Sequence, residues 1–132
     1  MILVDSSAFV EYYRPSGSRS VRAAVAEAVE ADLVAVNGII QVEILAFASA
    51  QTNYRKLLSD FKLLHWLELR ESDFDLASEL GFTLRRKAIT IPANDLIIAA
   101  SAIRANALLY HSDGHYDTLS RHSDLMSRNL QA

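Results

Sequence analysis

Four carboxylates in this chain accompany apolar runs, at positions that suit a metal site. They are Asp5 after the run ILV, Glu43 inside an apolar stretch, Asp95 after PAN, and Asp113 shortly after the run ALLY. Clustered carboxylates repel one another unless some are protonated or a cation compensates them. Because the ligands would all be oxygen atoms, the pattern favours Mg²⁺ or Mn²⁺ over zinc. Such a cation activates water and binds phosphoryl oxygens, so the residues predict metal-assisted phosphodiester hydrolysis.

Each acid also has a simpler structural explanation. Asp5 can cap the first helix, Asp95 lies where a helix dipole favours negative charge, and Asp113 precedes a glycine in a turn signature. Glu43 is different, because no other charged residue occurs between positions 33 and 54. A lone charge in an apolar helix is costly without a partner. We therefore expect a cation or a polar network at Glu43.

The elements that must position these acids alternate between strands and helices. Apolar runs predict strands at 1–5, 33–36 and 107–110, with a further candidate at 66–69. Periodicity predicts helices at 8–13, 18–32, 39–51, 54–69, 73–87 and from Pro92 to 105. Expected helix caps are Ser6 or Ser7 for the first helix, and Ser72 with Asp73 for the fifth. Residues 111–117 are predicted to form a polar loop, and the tail from 119 stays unassigned.

This alternation predicts the architecture. Strands that alternate with helices imply right-handed crossovers and a parallel sheet covered on both faces. We predict the α/β class, as a three-layer α/β/α sandwich with a central, mostly parallel sheet. The length favours a single domain over residues 1–132. Because ligands of such sheets bind outside the carboxyl ends of the strands, the acids are expected to meet at one rim.

Composition excludes several classes of protein. The 132 residues contain no cysteine, which excludes disulfides and thiolate metal sites. The sequence has neither a phosphate-binding P-loop motif nor the G-x-G pattern of dinucleotide-binding folds. It also has no signal-peptide pattern and no apolar run of membrane-spanning length. We therefore expect a cytoplasmic protein without a membrane partner.

The chain contains, in this order, the segments VDSSAFVEY, QVEIL, PANDLIIAASAI and LLYHSDGHYDTL. Together they resemble the PIN-domain ribonucleases and, more closely, the VapC-type toxins of type II toxin–antitoxin pairs. The resemblance spans Ile2 to about Leu119. It implies a PIN-like nuclease domain whose acidic pocket holds Mg²⁺ or Mn²⁺ and cleaves single-stranded regions of RNA. It also implies a homodimer that is held inactive by a cognate antitoxin protein.

The resemblance assigns roles to individual residues. The family's four acids, which bind the metal and carry out catalysis, fall on Asp5, Glu43, Asp95 and Asp113. Ser7 matches the small polar residue that helps to line the pocket. The products implied are a 5′-phosphate and a 3′-hydroxyl. Arginines expected to hold RNA include Arg14, Arg85, Arg86 and Arg121.

The chain departs from the family pattern after the fourth acid. Relatives often have a further acid two residues later, and here that place is His115, followed by Tyr116, with Asp117 beyond. If His115 lies at the metal, we expect Mn²⁺ to support more activity than Mg²⁺, and activity to fall as histidine becomes protonated. Otherwise His111, His115 and His122 are interpreted as surface groups.

Two alternatives to a toxin ribonuclease stay open at the level of sequence. One is a catalytically inactive PIN-like scaffold that binds a protein partner, and the other is a small metal-dependent phosphatase. The apolar segment 39–48 suits a nuclease and a scaffold alike, because it has more apolar residues than one buried face requires. We expect one of its faces to pack on the sheet and another to contact a second subunit or a partner.

Overall fold

The computed structural model describes residues 1–131, which contain five strands and seven helices. In chain order these are β1 (Ile2–Val4), α1 (Ser6–Tyr13), α2 (Arg19–Glu30), β2 (Val34–Val36), α3 (Gly38–Leu45), α4 (Gln51–Lys62), β3 (His65–Trp66), α5 (Glu71–Arg86), α6 (Ala93–Ala105), β4 (Leu108–His111), α7 (Gly114–His122) and β5 (Ser127–Asn129). None of the described helices is both long and apolar enough to cross a membrane.

The five strands form one parallel sheet in the order β3-β2-β1-β4-β5. β1 lies at its centre, where Leu3 is in register with Ala35 on one side and Leu109 on the other. All three of these side chains are fully buried. Burial on both faces explains why the central strands are continuously apolar rather than alternating. The predicted α/β fold with a parallel central sheet is confirmed.

The strand order assigns the helices to two layers. From β1 the chain moves through β2 to β3 in one direction, and it then returns past β1 to β4 and β5. Since parallel crossovers are right-handed, α1–α4 cover one face and α5–α7 cover the other. Within the layers, α1 contacts α2 and α3, and α6 contacts α5 and α7, while α3 and α6 also contact each other across the division. The winding therefore reverses between β1 and β4, and ligands of open α/β sheets bind at such a point.

The first helix begins earlier than the sequence prediction, and its cap is a different residue. The prediction that Ser6 or Ser7 caps the helix is wrong, since α1 starts at Ser6 and Asp5 is its N-cap. The Asp5 side chain accepts a hydrogen bond from the Ser7 backbone N–H at 2.9 Å. A carboxylate satisfies an unpaired N–H of the first turn and complements the positive end of the helix dipole.

The cap of α5 also differs from the prediction. Helix α5 starts at Glu71, so Ser72 and Asp73 lie inside it rather than before it. Asp73, in the third position of the helix, accepts a hydrogen bond from the Arg70 N–H at 2.9 Å. The carboxylate thus reaches back to the chain that enters the helix, as the glutamate of a capping box does.

The long helices predicted at 39–51 and 54–69 have wrong limits. α3 ends at Leu45, α4 runs from Gln51 to Lys62, and β3 occupies residues 65–66 instead of 66–69. The segment 46–50 that separates α3 from α4 contains only alanine, phenylalanine and serine. Neither glycine nor proline marks the break, and the apolar pattern continues through it, so periodicity could not locate it.

The predicted polar loop at 111–117 is wrong as well. His111 is the last residue of β4, and α7 already starts at Gly114. The unassigned tail adds β5, in which Ser127 is in register with Leu109 and Asn129 with His111. This edge strand has the sequence SRN, so its pairing comes from backbone hydrogen bonds to β4 rather than from an apolar pattern that could be recognised.

A buried ion pair fastens α5 to α6. Arg104 donates through Nε to Asp73 Oδ1 at 2.5 Å and through Nη2 to Asp73 Oδ2 at 3.0 Å. The same Nη2 donates to the Glu68 carbonyl oxygen at 2.8 Å. The Asp73 side chain has no exposed surface, and that of Arg104 is 19% exposed. This bidentate geometry holds the start of α5 against the end of α6.

Candidate active site

The candidate site lies where the winding reverses, at the carboxyl ends of β1 and β4. Asp5 follows the last residue of β1, and its backbone N–H donates to the Tyr110 carbonyl oxygen in β4 at 2.9 Å. Asp113 lies two residues beyond the end of β4 and is the N-cap of α7. Two adjacent parallel strands thus bring Asp5 and Asp113, which are far apart in sequence, to one rim.

Asp5 is both a helix cap and a member of this site. Its Oδ2 accepts hydrogen bonds from Ser7 N at 2.9 Å and from Ser7 Oγ at 2.6 Å. Its Oδ1 accepts one from the Tyr116 hydroxyl at 2.8 Å. Only 2% of Asp5 is exposed, so this buried charge depends on its three donors. Ser7 Oγ also accepts from the Ser112 N–H at 2.9 Å, which ties the ends of β1 and β4 together.

Asp95 reaches the same pocket from the first turn of α6. Its Oδ1 lies 3.3 Å from the Tyr116 hydroxyl oxygen, and its Oδ2 lies 2.9 Å from His115 Nδ1. Burial raises the pKa of Asp95, the hydrogen bond from His115 opposes this, and the charges of Asp5 and Asp113 raise it further. The three carboxylates therefore lie close enough together for their charges to repel one another.

Glu43 completes the acidic set from helix α3. Its Oε1 accepts a hydrogen bond from Ser6 Oγ at 3.0 Å. Burial raises the pKa of Glu43, the hydrogen bond from Ser6 lowers it, and the charges of Asp5 and Asp95 raise it. The expected polar network at Glu43 is therefore present. It brings the fourth predicted acid within electrostatic reach of the others.

The donor atoms of this pocket fit a divalent cation. Among residues 1–131, one ligand atom each from Asp95, Asp113 and His115 lies within 4.8 Å of the others. His115 Nδ1 is 3.3 Å from Asp113 Oδ1, so it contacts both carboxylates. No lysine or arginine in the described part of the chain forms an ion pair with any of the four acids. The negative charge therefore lacks a permanent cationic partner, which suits a bound metal ion.

The interpretation of the histidines as surface groups is wrong for His111, whereas His115 is exposed and also touches the acidic site. His115 contacts the acids, and His111 is completely buried. His111 Nδ1 accepts the Asp113 N–H at 3.2 Å, and burial lowers the pKa of His111. Its Nε2 has no hydrogen-bond partner among residues 1–131 and lies 3.7 Å from Asp117 Oδ1. His111 thus supports the backbone of Asp113 from inside the core.

The remaining predicted residue, Asp117, is directed away from the acids. Its Oδ2 accepts a hydrogen bond from Asn129 Nδ2 in β5 at 2.9 Å. Sequence reasoning also missed Tyr116, which has no exposed surface. Burial keeps the pKa of the Tyr116 hydroxyl above its usual range, so it stays protonated and donates to Asp5. The aromatic residue directly after His115 was a signal, but its hydroxyl could not be placed without the fold.

Comparison with known proteins shows the family to which the chain is related and solved structures with the same fold. The PIN domain profile matches residues 2–121. The chain is 34% identical over 136 residues to Ribonuclease VapC11 of Mycobacterium tuberculosis, with 99% of this chain and 100% of that protein covered. The crystal structure of FitAcB from Neisseria gonorrhoeae superposes with a TM-score of 0.81 at 20% identity, covering 99% of each chain.

A second solved structure shows the same fold. VapBC2 from Rickettsia felis, bound to a DNA fragment from its promoter, matches with a TM-score of 0.73 at 21% identity. The match covers 97% of this chain and 98% of the other. At 20% and 21% identity, the two solved structures show only that the fold is shared. The family relationship rests on the PIN domain profile and on the 34% identical relative.

Proposed function

Because this chain belongs to the PIN-domain family, we propose that it is a metal-dependent endoribonuclease acting as the toxin of a toxin–antitoxin pair. The main supporting observation is the group of four carboxylates at the point where the sheet reverses its winding, which has no lysine or arginine ion-pair partner within residues 1–131. Full-length similarity to a relative named as a ribonuclease supports RNA as the substrate. Residues 1–132 would form a single nuclease domain.

We assign Asp5, Glu43, Asp95 and Asp113 to binding of Mg²⁺ or Mn²⁺. Such a cation, when bound, supplies an activated water and compensates the charge that builds on the phosphoryl oxygens. The chain's own groups set up this chemistry. Ser7 and Tyr116 fix the Asp5 carboxylate, and Glu43 would contact the cation or orient the attacking water. Cleavage would leave a 5′-phosphate and a 3′-hydroxyl.

The test is RNA cleavage by the purified chain with a mixed pool of single-stranded RNA. Cleavage is expected with Mg²⁺ or Mn²⁺, and its loss is expected when EDTA removes the cation. A matched incubation with a phosphate monoester distinguishes a nuclease from a small phosphatase. RNA left intact by both cations would overturn the proposal, and the monoester incubation would then distinguish a small phosphatase from a binding scaffold.

Exposed apolar residues support the proposed protein partners. On α3, Ile40 and Leu45 are buried, whereas Val42 is 63% exposed. Phe47, just after α3, is 82% exposed. The structural relatives include VapBC2 bound to a DNA fragment from its promoter, which favours an antitoxin partner for this chain as well. We propose a homodimer and a cognate antitoxin, which use this apolar surface.

The dimer prediction concerns the isolated chain at roughly tens of micromolar, where a micromolar affinity is visible. Light scattering should give twice the mass of one chain. Phe47→Ser should shift the mass towards a monomer, because it removes the most exposed aromatic side chain of this surface. Leu63→Ser is the control, since Leu63 is 81% exposed at the end of α4. A monomeric parent chain, or equal effects of the two substitutions, would contradict the prediction.

A further inference from the structure

The position of His115 gives the pocket a nitrogen donor among its oxygen donors. Nδ1 of His115 lies 2.9 Å from Asp95 Oδ2 and 3.3 Å from Asp113 Oδ1. Among the residues that the structure describes, it is the basic group that both carboxylates contact. The ring nitrogen therefore lies beside the two oxygen atoms whose repulsion a bound cation has to compensate.

The backbone holds His115 in this place. Asp113 caps α7, and its Oδ1 accepts the backbone N–H of His115 at 2.9 Å. His115 is the second residue of α7, so the same carboxylate contacts both its backbone and its ring. A cation that enters beside Asp113 therefore meets this ring. The cation must then either bind its nitrogen or push the ring aside.

Asp5 leaves room for a further ligand from another residue. Asp5 uses three acceptor positions on hydrogen bonds from Ser7 and Tyr116, and it is 2% exposed. The Asp113 and His115 side chains are 33% and 46% exposed, so both are open to solvent. A Cβ atom added at Gly114, which lies between them in sequence, would meet no atom within 4 Å other than its chain neighbours.

We propose that Nδ1 of His115, with the ring proton on Nε2, is a nitrogen ligand of the divalent cation, together with Asp95 and Asp113, and that it makes the site prefer Mn²⁺ to Mg²⁺. The cation would take the place of the proton that Nδ1 donates to Asp95 in the metal-free chain. The inference rests on the metal site of the proposed function. Mg²⁺ favours oxygen ligands, whereas imidazole suits transition metals. Replacing an oxygen donor by nitrogen therefore weakens Mg²⁺ binding more than Mn²⁺ binding.

Calorimetric titration of the metal-free full chain with each cation measures this preference. His115→Ala should reduce the affinity for Mn²⁺ at least about tenfold, the lower range for losing even a supporting group of a metal site. Its effect on Mg²⁺ should be smaller. His115→Asp should change the ratio of the two affinities in favour of Mg²⁺. His122→Ala is the control, because His122 is exposed at the far end of the same helix.

Pulsed electron paramagnetic resonance of bound Mn²⁺ tests the ligand directly. A coupling to imidazole nitrogen should be present in the parent and in His122→Ala, and it should be absent in His115→Ala. Persistence of the coupling in His115→Ala, with an unchanged Mn²⁺ to Mg²⁺ affinity ratio, would overturn the proposal.

The resonance and affinity measurements do not depend on RNA cleavage, so a failure of the ligand proposal can be distinguished from a failure of the ribonuclease proposal. A parent chain that shows the His115 coupling but leaves RNA intact would overturn the ribonuclease and support the ligand. Metal-dependent cleavage with parent-like cation affinities in His115→Ala would support the ribonuclease and overturn His115 as a ligand. A parent chain that binds neither cation would overturn both.

Discussion

An Asp95→Asn chain is expected to lose RNA cleavage by at least about 100-fold. Asp95 contacts His115 and Tyr116 and is repelled by Asp5 and Asp113, so it lies at the centre of the acidic pocket. The substitution removes one negative charge and one anionic ligand. A bound cation contributes several kcal/mol of transition-state stabilisation, and each 1.4 kcal/mol is about tenfold in rate. Initial rates on single-stranded RNA with saturating Mn²⁺ measure the loss.

The same substitution is expected to leave the metal-free chain as stable as the parent, or more stable. Burial raises the pKa of Asp95, against a hydrogen bond from His115, and the charges of Asp5 and Asp113 add to the increase. A carboxyl whose pKa rises on folding makes the fold less stable as the pH rises through that range. The gain from Asp95→Asn should be present at pH 7, shrink as the pH falls through the raised pKa of the folded state, and be gone below the unfolded value of about 3.9.

Thermal unfolding of the metal-free chains across pH measures this gain. A melting temperature far below that of the parent would show that Asp95 is a structural group of α6 rather than part of a metal site. Asp5→Asn separates an effect on activity from an effect on stability less well. An amide has one acceptor oxygen instead of two, and Asp5 accepts three hydrogen bonds from Ser7 and Tyr116. We therefore expect Asp5→Asn to lower both activity and stability.

An Arg104→Leu chain is expected to lose about 3–5 kcal/mol of folding free energy, because Asp73 would keep a buried charge without its partner. For a chain of this size the loss corresponds to a fall in melting temperature of roughly 10 °C or more. Leucine keeps the apolar bulk and the helix propensity of α6, so the effect reports the ion pair. Denaturant or thermal unfolding at neutral pH provides the measurement.

An exposed ion pair gives the matched control. Lys56 and Asp60 form an i,i+4 pair on α4 with side chains 68% and 37% exposed. Lys56→Leu should cost at most about 1 kcal/mol. A second substitution, Asp73→Asn, should recover part of the loss in Arg104→Leu, because it removes the unpaired charge. Equal effects of Arg104→Leu and Lys56→Leu would show that the buried pair does not hold α5 against α6.

The parts of the fold that depend on burial were predictable from the sequence. β1, β2 and β4 are short apolar runs, and their alternation with helices was enough for a parallel α/β sheet. The rule that ligands bind at the carboxyl ends of strands then placed Asp5 and Asp113 together. Glu43 stood out because an isolated charge in an apolar helix needs a partner, and Ser6 is that partner.

The parts that depend on tertiary contacts were not predictable. The run ALLY gave no reason to include His111 in β4, where it is buried beneath Asp113. Polar residues dominate β5, whose position depends on pairing with β4. The contact of His115 with Asp95 joins residues twenty positions apart, and only the packing of α6 beside α7 creates it. Local patterns do not record such contacts.

We propose that this chain hydrolyses internal phosphodiester bonds of RNA with a metal held by its four carboxylates. A circular single-stranded RNA tests it most directly, because only an endonuclease can open a circle. The parent chain is expected to linearise the circle with Mg²⁺ or Mn²⁺ and to leave a 5′-phosphate. The circle should stay closed with EDTA or with Asp95→Asn. A circle that stays closed with both cations, or that opens equally with EDTA or Asp95→Asn, would contradict the account.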